Sequence, residues 1–224
     1  MEGVIVFDMD GVLVDVSQSY RETIRETVRH FGGPDISHER IQDYKNSGGW
    51  NNDWALSQKI LADSGIEVPY DTVVREFNRI FFGENNDGLI LREKWIADPA
   101  LLNRLDQRHA LCIFTGRLQY EAQITLTRFI PTIKWSAIVA DDNVTKSKPA
   151  PDGLLDIIAK HPNLPVTYVG DTVDDARSAQ SAGNVRFVGI AHQNNPRREE
   201  LVSLLKQHGA VAVLENVNEL ETVL

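Results

Sequence analysis

Six short apolar runs punctuate the chain, at residues 3–7, 111–114, 137–140, 166–169, 185–190 and 210–214. Each is short and most are rich in Val or Ile, the pattern of buried strands. Helical spacing fills most of the intervals between them. Asp98-Pro99 has the form of an N-cap followed by proline at the first helical position, with Leu101, Leu102 and Leu105 on one face. Leu118, Ala122, Leu126 and Phe129 recur at helical spacing, as do Leu154, Leu155 and Ile158, and again Leu201, Leu204 and Leu205. Strands alternating with helices predict an α/β fold: a Rossmann-like, mainly parallel sheet with helices on both faces.

Between Asp15 and Leu91 the pattern changes and no buried strand is evident. Val16, Tyr20, Ile24, Val28 and Phe31 form the apolar stripe of one helix, ended by Gly32-Gly33-Pro34. Stretches 36–44, 54–61 and 72–82 predict three more. The expected organisation is an α/β core of residues 1–15 and 89–224, interrupted by a helical cap of residues 16–88.

Composition narrows the functional classes. The 224 residues are 42% hydrophobic and 25% charged, with a formal net charge of −9. That balance argues against general nucleic-acid binding, which needs a basic face, but leaves room for a phosphorylated small molecule held by local cations. No run approaches the ~18 apolar residues that span a membrane. With Asp8 so early in the sequence, no signal-peptide apolar region is expected. The single cysteine, Cys112, sits in an apolar run with no basic neighbour, which favours a core residue over a nucleophile and fits a reducing compartment. The expectation is a cytoplasmic protein, monomeric or homodimeric.

Ligands of open α/β sheets bind outside the carboxyl ends of the strands, so the residues leaving each predicted strand carry the chemistry. The first strand delivers Asp8 and Asp10 into Gly11, and the second delivers Thr115-Gly116-Arg117. The third leads through Asp141 and Asp142 to Lys146, Lys148 and Pro149, and the fourth delivers Gly170-Asp171, Asp174 and Asp175. Two aspartates as close as Asp8 and Asp10 repel unless a cation or a shared proton intervenes, and an oxygen-rich site suits Mg²⁺. Carboxylates, a hydroxyl and a lysine on one sheet edge fit phosphoryl transfer, which needs a nucleophile, an acid/base and fixed donors for the phosphoryl oxygens.

The chain resembles the haloacid dehalogenase-like hydrolase superfamily, in its branch with a helical cap after the first strand. The first motif is Phe7-Asp8-Met9-Asp10-Gly11-Val12, and the second is Phe114-Thr115-Gly116-Arg117. Lys148-Pro149 matches the third motif and Gly170-Asp171-Thr172-Val173-Asp174-Asp175 the fourth. The resemblance implies Asp8 as nucleophile and Mg²⁺ ligand, and Asp10 as general acid/base that also offers its backbone carbonyl to the metal. Thr115 and the N–H of Gly116 would hold the phosphoryl group. Lys148 would bridge Asp8 and phosphate. Asp171 would be a direct metal ligand, and Asp175 a second ligand or a group acting through water. Asp174 then opens the following helix, and Lys146 is a solvated charge. Asp10 favours esters over C–halogen bonds, because halide leaves without a proton and an alkoxide does not.

The implied activity is Mg²⁺-dependent hydrolysis of a small phosphorylated metabolite through an aspartyl-phosphate. The alternatives are a phosphosugar mutase of the β-phosphoglucomutase kind, a phosphonate hydrolase using a Schiff base at Lys45, and a non-catalytic binding relative. Within the cap, residues 45–54 combine two glycines, three asparagines and two tryptophans. Asn51 and Asn52 are expected to face substrate, the competing reading being turn formation; Trp54 is expected in the core. Arg117 either approaches substrate or is an exposed charge at a helix start. The histidines show no paired spacing and are expected at the surface.

Overall fold

The computed structural model describes residues 1–85 and 87–224. In chain order the elements are β1 (Gly3–Phe7), β2 (Val14–Asp15), α1 (Tyr20–His30), α2 (His38–Ser47), α3 (Asp53–Asp63), α4 (Tyr70–Phe82), β3 (Lys94–Trp95), α5 (Pro99–Asp106), β4 (His109–Phe114), α6 (Gln119–Phe129), β5 (Ala137–Val139), α7 (Asp152–Lys160), β6 (Val166–Gly170), α8 (Val173–Ala182), β7 (Val185–Ile190), α9 (Arg198–Gln207) and β8 (Ala212–Leu214). The chain divides into two compact units, Met1–Val14 with Trp95–Leu224, and Asp15–Lys94. The second crossing falls at Lys94/Trp95 rather than near 88/89, because a short 3₁₀ turn at Leu89–Arg92 still packs on α1 and α4.

In the larger unit six strands form one sheet in the order β5-β4-β1-β6-β7-β8, every pair parallel. The predicted α/β sheet is present, and its centre is the first strand. All five residues of β1 are buried, as a parallel strand covered on both faces requires. Val6 registers with Cys112 on β4 and with Tyr168 on β6. Val4, Val6, Cys112, Phe114 and Tyr168 share one core cluster with Leu154 and Ile157 of α7, Ala176 and Ala179 of α8, and Leu201 and Leu205 of α9. Alternation turns Ile5 and Phe7 to the opposite face, where Phe7 meets Trp135 edge-on at 6.3 Å. Burial pushes the Cys112 thiol up to about 11, so it is inert core.

The position of β1 fixes where function sits. Its neighbours β4 and β6 are later strands on opposite sides, so connections diverge at its carboxyl end, which is where open α/β sheets build ligand sites.

The smaller unit is a helical bundle in which α1, α3 and α4 pack on one another. Its core holds Ile24, Val28, Leu56, Ile60, Leu61 and Val73 and an aromatic group in which the Tyr20 and Phe81 rings lie 4.1 Å apart. Helix α1 starts at Tyr20, later than the apolar spacing from Val16 implies. Val14–Asp15 is extended, and the Asp15 carboxylate accepts the Ser17 N–H at 2.9 Å, a turn that delays the helix. The Asn- and Trp-rich stretch is half helical: α2 runs through Ser47 and α3 begins at Asp53, leaving 48–52 as the connection. No helix among the described residues is long and apolar enough to cross a membrane.

Candidate active site

Beyond Phe7 the backbone keeps its ladder for one residue, the Asp8 N–H donating to Val169 at 2.8 Å. It then turns. The Met9 carbonyl accepts from Leu13 and Val14 at 2.8 and 2.9 Å, and Gly11 donates to Val14 at 2.8 Å. Gly11 takes φ +73°, and a Cβ there would lie 2.0 Å from Asp171 Oδ2. Only glycine supplies both the left-handed backbone and this approach to Asp171. The turn leaves Asp8 buried and Asp10 half-buried.

Lys148 joins two of the predicted carboxylates. Its Nζ donates to Asp8 Oδ1 at 2.8 Å and to Asp175 Oδ1 at 2.7 Å, and its side chain is 1% exposed. The ammonium also lies 4.7 Å from the Phe114 ring centre and 5.4 Å from that of Tyr168, within cation–π range. Burial by itself lowers the lysine pKa, but the charges of Asp175 and Asp8 outweigh it, so the amine is firmly protonated. Burial raises Asp8 to about 7, against the pull of Lys148. Asp175 goes the other way: burial opposes ionisation, yet Lys148 and hydrogen bonds from Tyr168 and Thr172 hold it below the usual range.

Asp175 is heavily committed. Its Oδ1 accepts from Lys148 and from the Tyr168 hydroxyl at 2.6 Å. Its Oδ2 accepts from the Asp171 N–H at 3.2 Å, the Thr172 N–H at 3.0 Å and the Thr172 hydroxyl at 2.7 Å. Thr172 caps α8, and Asp175 closes its capping box. A Cβ on Gly170 would sit 2.5 Å from Asp175 Cβ, so the glycine of the fourth motif lets α8 start this close to β6.

Oxygens of Asp8, Asp171 and Asp175 lie within 4.8 Å of one another. One lysine lies among these three carboxylates, a grouping that could hold a cation. The missing Gly11 side chain lets the Asp171 carboxylate come up against the turn that carries Asp8 and Asp10. The donor set is all oxygen, the preference of hard divalent ions.

Thr115 is buried at the end of β4, its N–H on Val139 at 3.0 Å and its hydroxyl accepting the Arg117 N–H at 3.2 Å. Gly116 is half-buried beside it. The structure thus brings Asp8, Asp10, Thr115, Gly116, Lys148, Asp171 and Asp175 to one sheet edge in the larger unit. Asp174 is buried in the first turn of α8, and Lys146 is exposed.

Arg117 corrects an expectation. It is 2% exposed rather than a solvated helix-start charge, and its Nε and Nη2 donate to Asp10 Oδ1 at 2.8 and 2.6 Å. Asn51 and Asn52 belong to the smaller unit. Asn52 caps α3, accepting the Ala55 N–H at 2.9 Å and donating to the Tyr70 hydroxyl at 3.2 Å. Lys45 is ion-paired with Asp53 within the smaller unit. Trp54 is half-buried, edge-on to Phe77 and bonded to Asn78 at 3.1 Å. His192 is not a plain surface group: its Nε2 lies 2.9 Å from the Gly11 carbonyl. Tyr168, Thr172 and His192 were legible only as an apolar-strand aromatic, a motif filler and an unpaired histidine.

Comparison with known proteins agrees with this architecture. The family model described as haloacid dehalogenase-like hydrolase matches residues 5–190. An imidazoleglycerol-phosphate dehydratase of Phytophthora nicotianae is 32% identical over 227 residues, covering 95% of this chain; the chain spans only 48% of that relative's length. A phosphorylated carbohydrates phosphatase of Thermotoga maritima is 29% identical over 221 residues, covering 95% of this chain and 98% of the relative. A crystal structure from Bacteroides fragilis, assigned to the haloacid dehalogenase-like hydrolases, superposes with a TM-score of 0.79 at 22% identity, covering 98% of this chain and 100% of that one; it supports the fold alone.

Proposed function

Since the chain belongs to the haloacid dehalogenase-like hydrolase family, we propose that it is a Mg²⁺-dependent phosphomonoesterase acting on a small phosphorylated metabolite through an aspartyl-phosphate. The observation that carries this reading is the unequal pair on one turn. Asp8 is buried and anchored by Lys148, while Asp10 is half-buried and outside that pair.

Asp8 attacks phosphorus through its carboxylate oxygen as the P–O bond to the leaving group breaks. Asp10 gives its proton to the departing oxygen, then takes one from the water that attacks the acyl phosphate and restores Asp8. The Thr115 hydroxyl and the Gly116 N–H hold the phosphoryl oxygens, and Lys148 balances their charge. Asp8, Asp171 and the Asp10 carbonyl would hold Mg²⁺, which when bound neutralises phosphoryl oxygens. Asp175, with five donors on its two oxygens, is assigned to fixing Lys148 and the α8 start rather than to direct ligation.

The Thermotoga relative named for phosphorylated carbohydrates makes sugar phosphates the first substrate class to try. The dehydratase activity named for the Phytophthora relative is not carried over, because this chain spans about half of that protein.

Phosphate release from a panel of sugar and other small phosphate esters, with Mg²⁺ and with EDTA, tests the reading. Turnover is expected with Mg²⁺ alone, and Asp8→Asn should lose about a thousandfold or more. No release from any ester, or undiminished release by Asp8→Asn, overturns it.

A further inference from the structure

The Arg117 guanidinium lies inside the larger unit, between the end of β4 and α6, and is held at both ends of its fork. Nε and Nη2 both donate to Asp10 Oδ1, at 2.8 and 2.6 Å, and Nη1 donates to the Thr125 hydroxyl at 2.6 Å. Thr125 is fully buried on α6. Arginine presents these donors in a rigid plane, so Thr125 fixes the tilt of the guanidinium and the guanidinium fixes Asp10. Both bonds fall on the same carboxylate oxygen. Among the described residues Asp10 Oδ2 takes no hydrogen bond, and the Asp10 side chain remains 32% exposed.

Building on the phosphatase reading, we infer that Arg117 is a positioning residue that dedicates Asp10 Oδ2 to proton transfer. In the first step the Asp8 oxygen bonds to phosphorus, the P–O bond to the leaving group breaks, and the proton on Asp10 Oδ2 goes to the leaving oxygen. The negative charge then left on Asp10 faces the Arg117 cation. In the second step Asp10 Oδ2 takes a proton from water, the water oxygen bonds to phosphorus, and the Asp8–phosphorus bond breaks. Arg117 touches neither the phosphoryl group nor the leaving group. It prevents Asp10 from turning its carboxylate toward Lys148 or solvent, and it keeps Oδ1 from competing for the proton.

Leaving-group dependence separates this role from structural support or phosphate binding. A poor leaving group needs the proton and a good one does not. The test is kcat/KM, which reports steps through the first P–O cleavage, for dinitrophenyl, p-nitrophenyl and phenyl phosphate with Mg²⁺ at neutral pH. Wild type, Arg117→Ala, Arg117→Lys, Thr125→Val and Asp10→Asn are compared, with folding checked by circular dichroism. Arg117→Ala is expected to lose about 100-fold on phenyl phosphate and less than about tenfold on the dinitrophenyl ester, the same tilt as Asp10→Asn. Arg117→Lys keeps the charge but not the two-point grip, so it should tilt the same way, and Thr125→Val should tilt less. Should Arg117→Ala fail to fold, the lysine variant carries the comparison. Equal losses on all three esters, or a tilt in Asp10→Asn without one in the Arg117 variants, overturn the inference and leave the phosphatase reading intact. A wild type that cleaves none of the esters overturns both.

Discussion

Lys148 is the residue on which the larger unit's polar core turns. It is an almost fully buried cation between two buried carboxylates, with aromatic rings at 4.7 and 5.4 Å. Removing one partner of such an arrangement costs about 3–5 kcal/mol, so Lys148→Ala is expected to be destabilised as well as inactive; a thermal melt matching wild type would contradict the geometry. Asp8 has a sharper signature. Burial raises it to about 7 from an ordinary 3.8, so between these values the folded chain retains a proton that the unfolded chain has lost. The stabilisation from the protonated form is therefore complete below about 4 and is lost as pH rises through about 7. In EDTA, Asp8→Asn, which imitates the protonated group, should melt increasingly above wild type from pH 5 to pH 8. A gap that stays constant over that range rules out burial as the cause. At this scale the sequence carried the identities of the acidic and basic groups and, through the family resemblance, the Lys148–Asp8 pair, but not the partners of Asp10 and Asp175. Asp10 and Arg117 are 107 positions apart, and Tyr168 reads as one more apolar-strand aromatic until its hydroxyl is found 2.6 Å from Asp175.

At the scale of elements, strands were the most legible feature because a buried parallel strand is a short apolar run with no competing pattern. The ends were less so. The last strand starts at Ala212 rather than 210, because Ala210 donates back to Leu205 to close α9 and Val211 to Phe187. Asn52 shows how a local role hides a functional guess. A side chain suited to hydroxyl-bearing ligands is equally suited to capping a helix, and here it caps α3. Asn52→Ala is expected to cost about 1 kcal/mol of stability while changing kcat/KM far less. A large loss of kcat/KM at unchanged melting temperature would return Asn52 to the substrate site. The junction of β6 and α8 makes the opposite demand: Gly170→Ala forces a Cβ against Asp175 Cβ, a contact between atoms that cannot rotate away. It should cost about 1–3 kcal/mol and weaken Mg²⁺-dependent turnover together; a variant that melts and turns over like wild type would contradict the close approach.

For the whole molecule, the division into an α/β unit and an inserted helical unit was visible in sequence as a change of hydrophobic period between Asp15 and Leu91. The residues bearing the proposed chemistry all lie in the α/β unit, which explains why reaction class was more legible than substrate. Chemistry is fixed by a few residues at strand ends, each with a narrow choice of side chain, whereas recognition is spread over contacts that no spacing rule encodes. The net charge of −9 sits on a chain whose candidate site itself carries one lysine among three clustered carboxylates, so metal binding and turnover are expected to rise and fall together. The proposed chemistry requires that Asp8 become phosphorylated during turnover. Acid-quenching the Mg²⁺-loaded protein during turnover of p-nitrophenyl phosphate, followed by peptide mass mapping, tests this most directly. A single phosphoryl group on the peptide containing Asp8, absent in Asp8→Asn and accumulating further in Asp10→Asn with dinitrophenyl phosphate, is the predicted result. Rapid phosphate release with no phosphorylated Asp8 at any quench time in either protein, or a phosphoryl group on another residue, would contradict it.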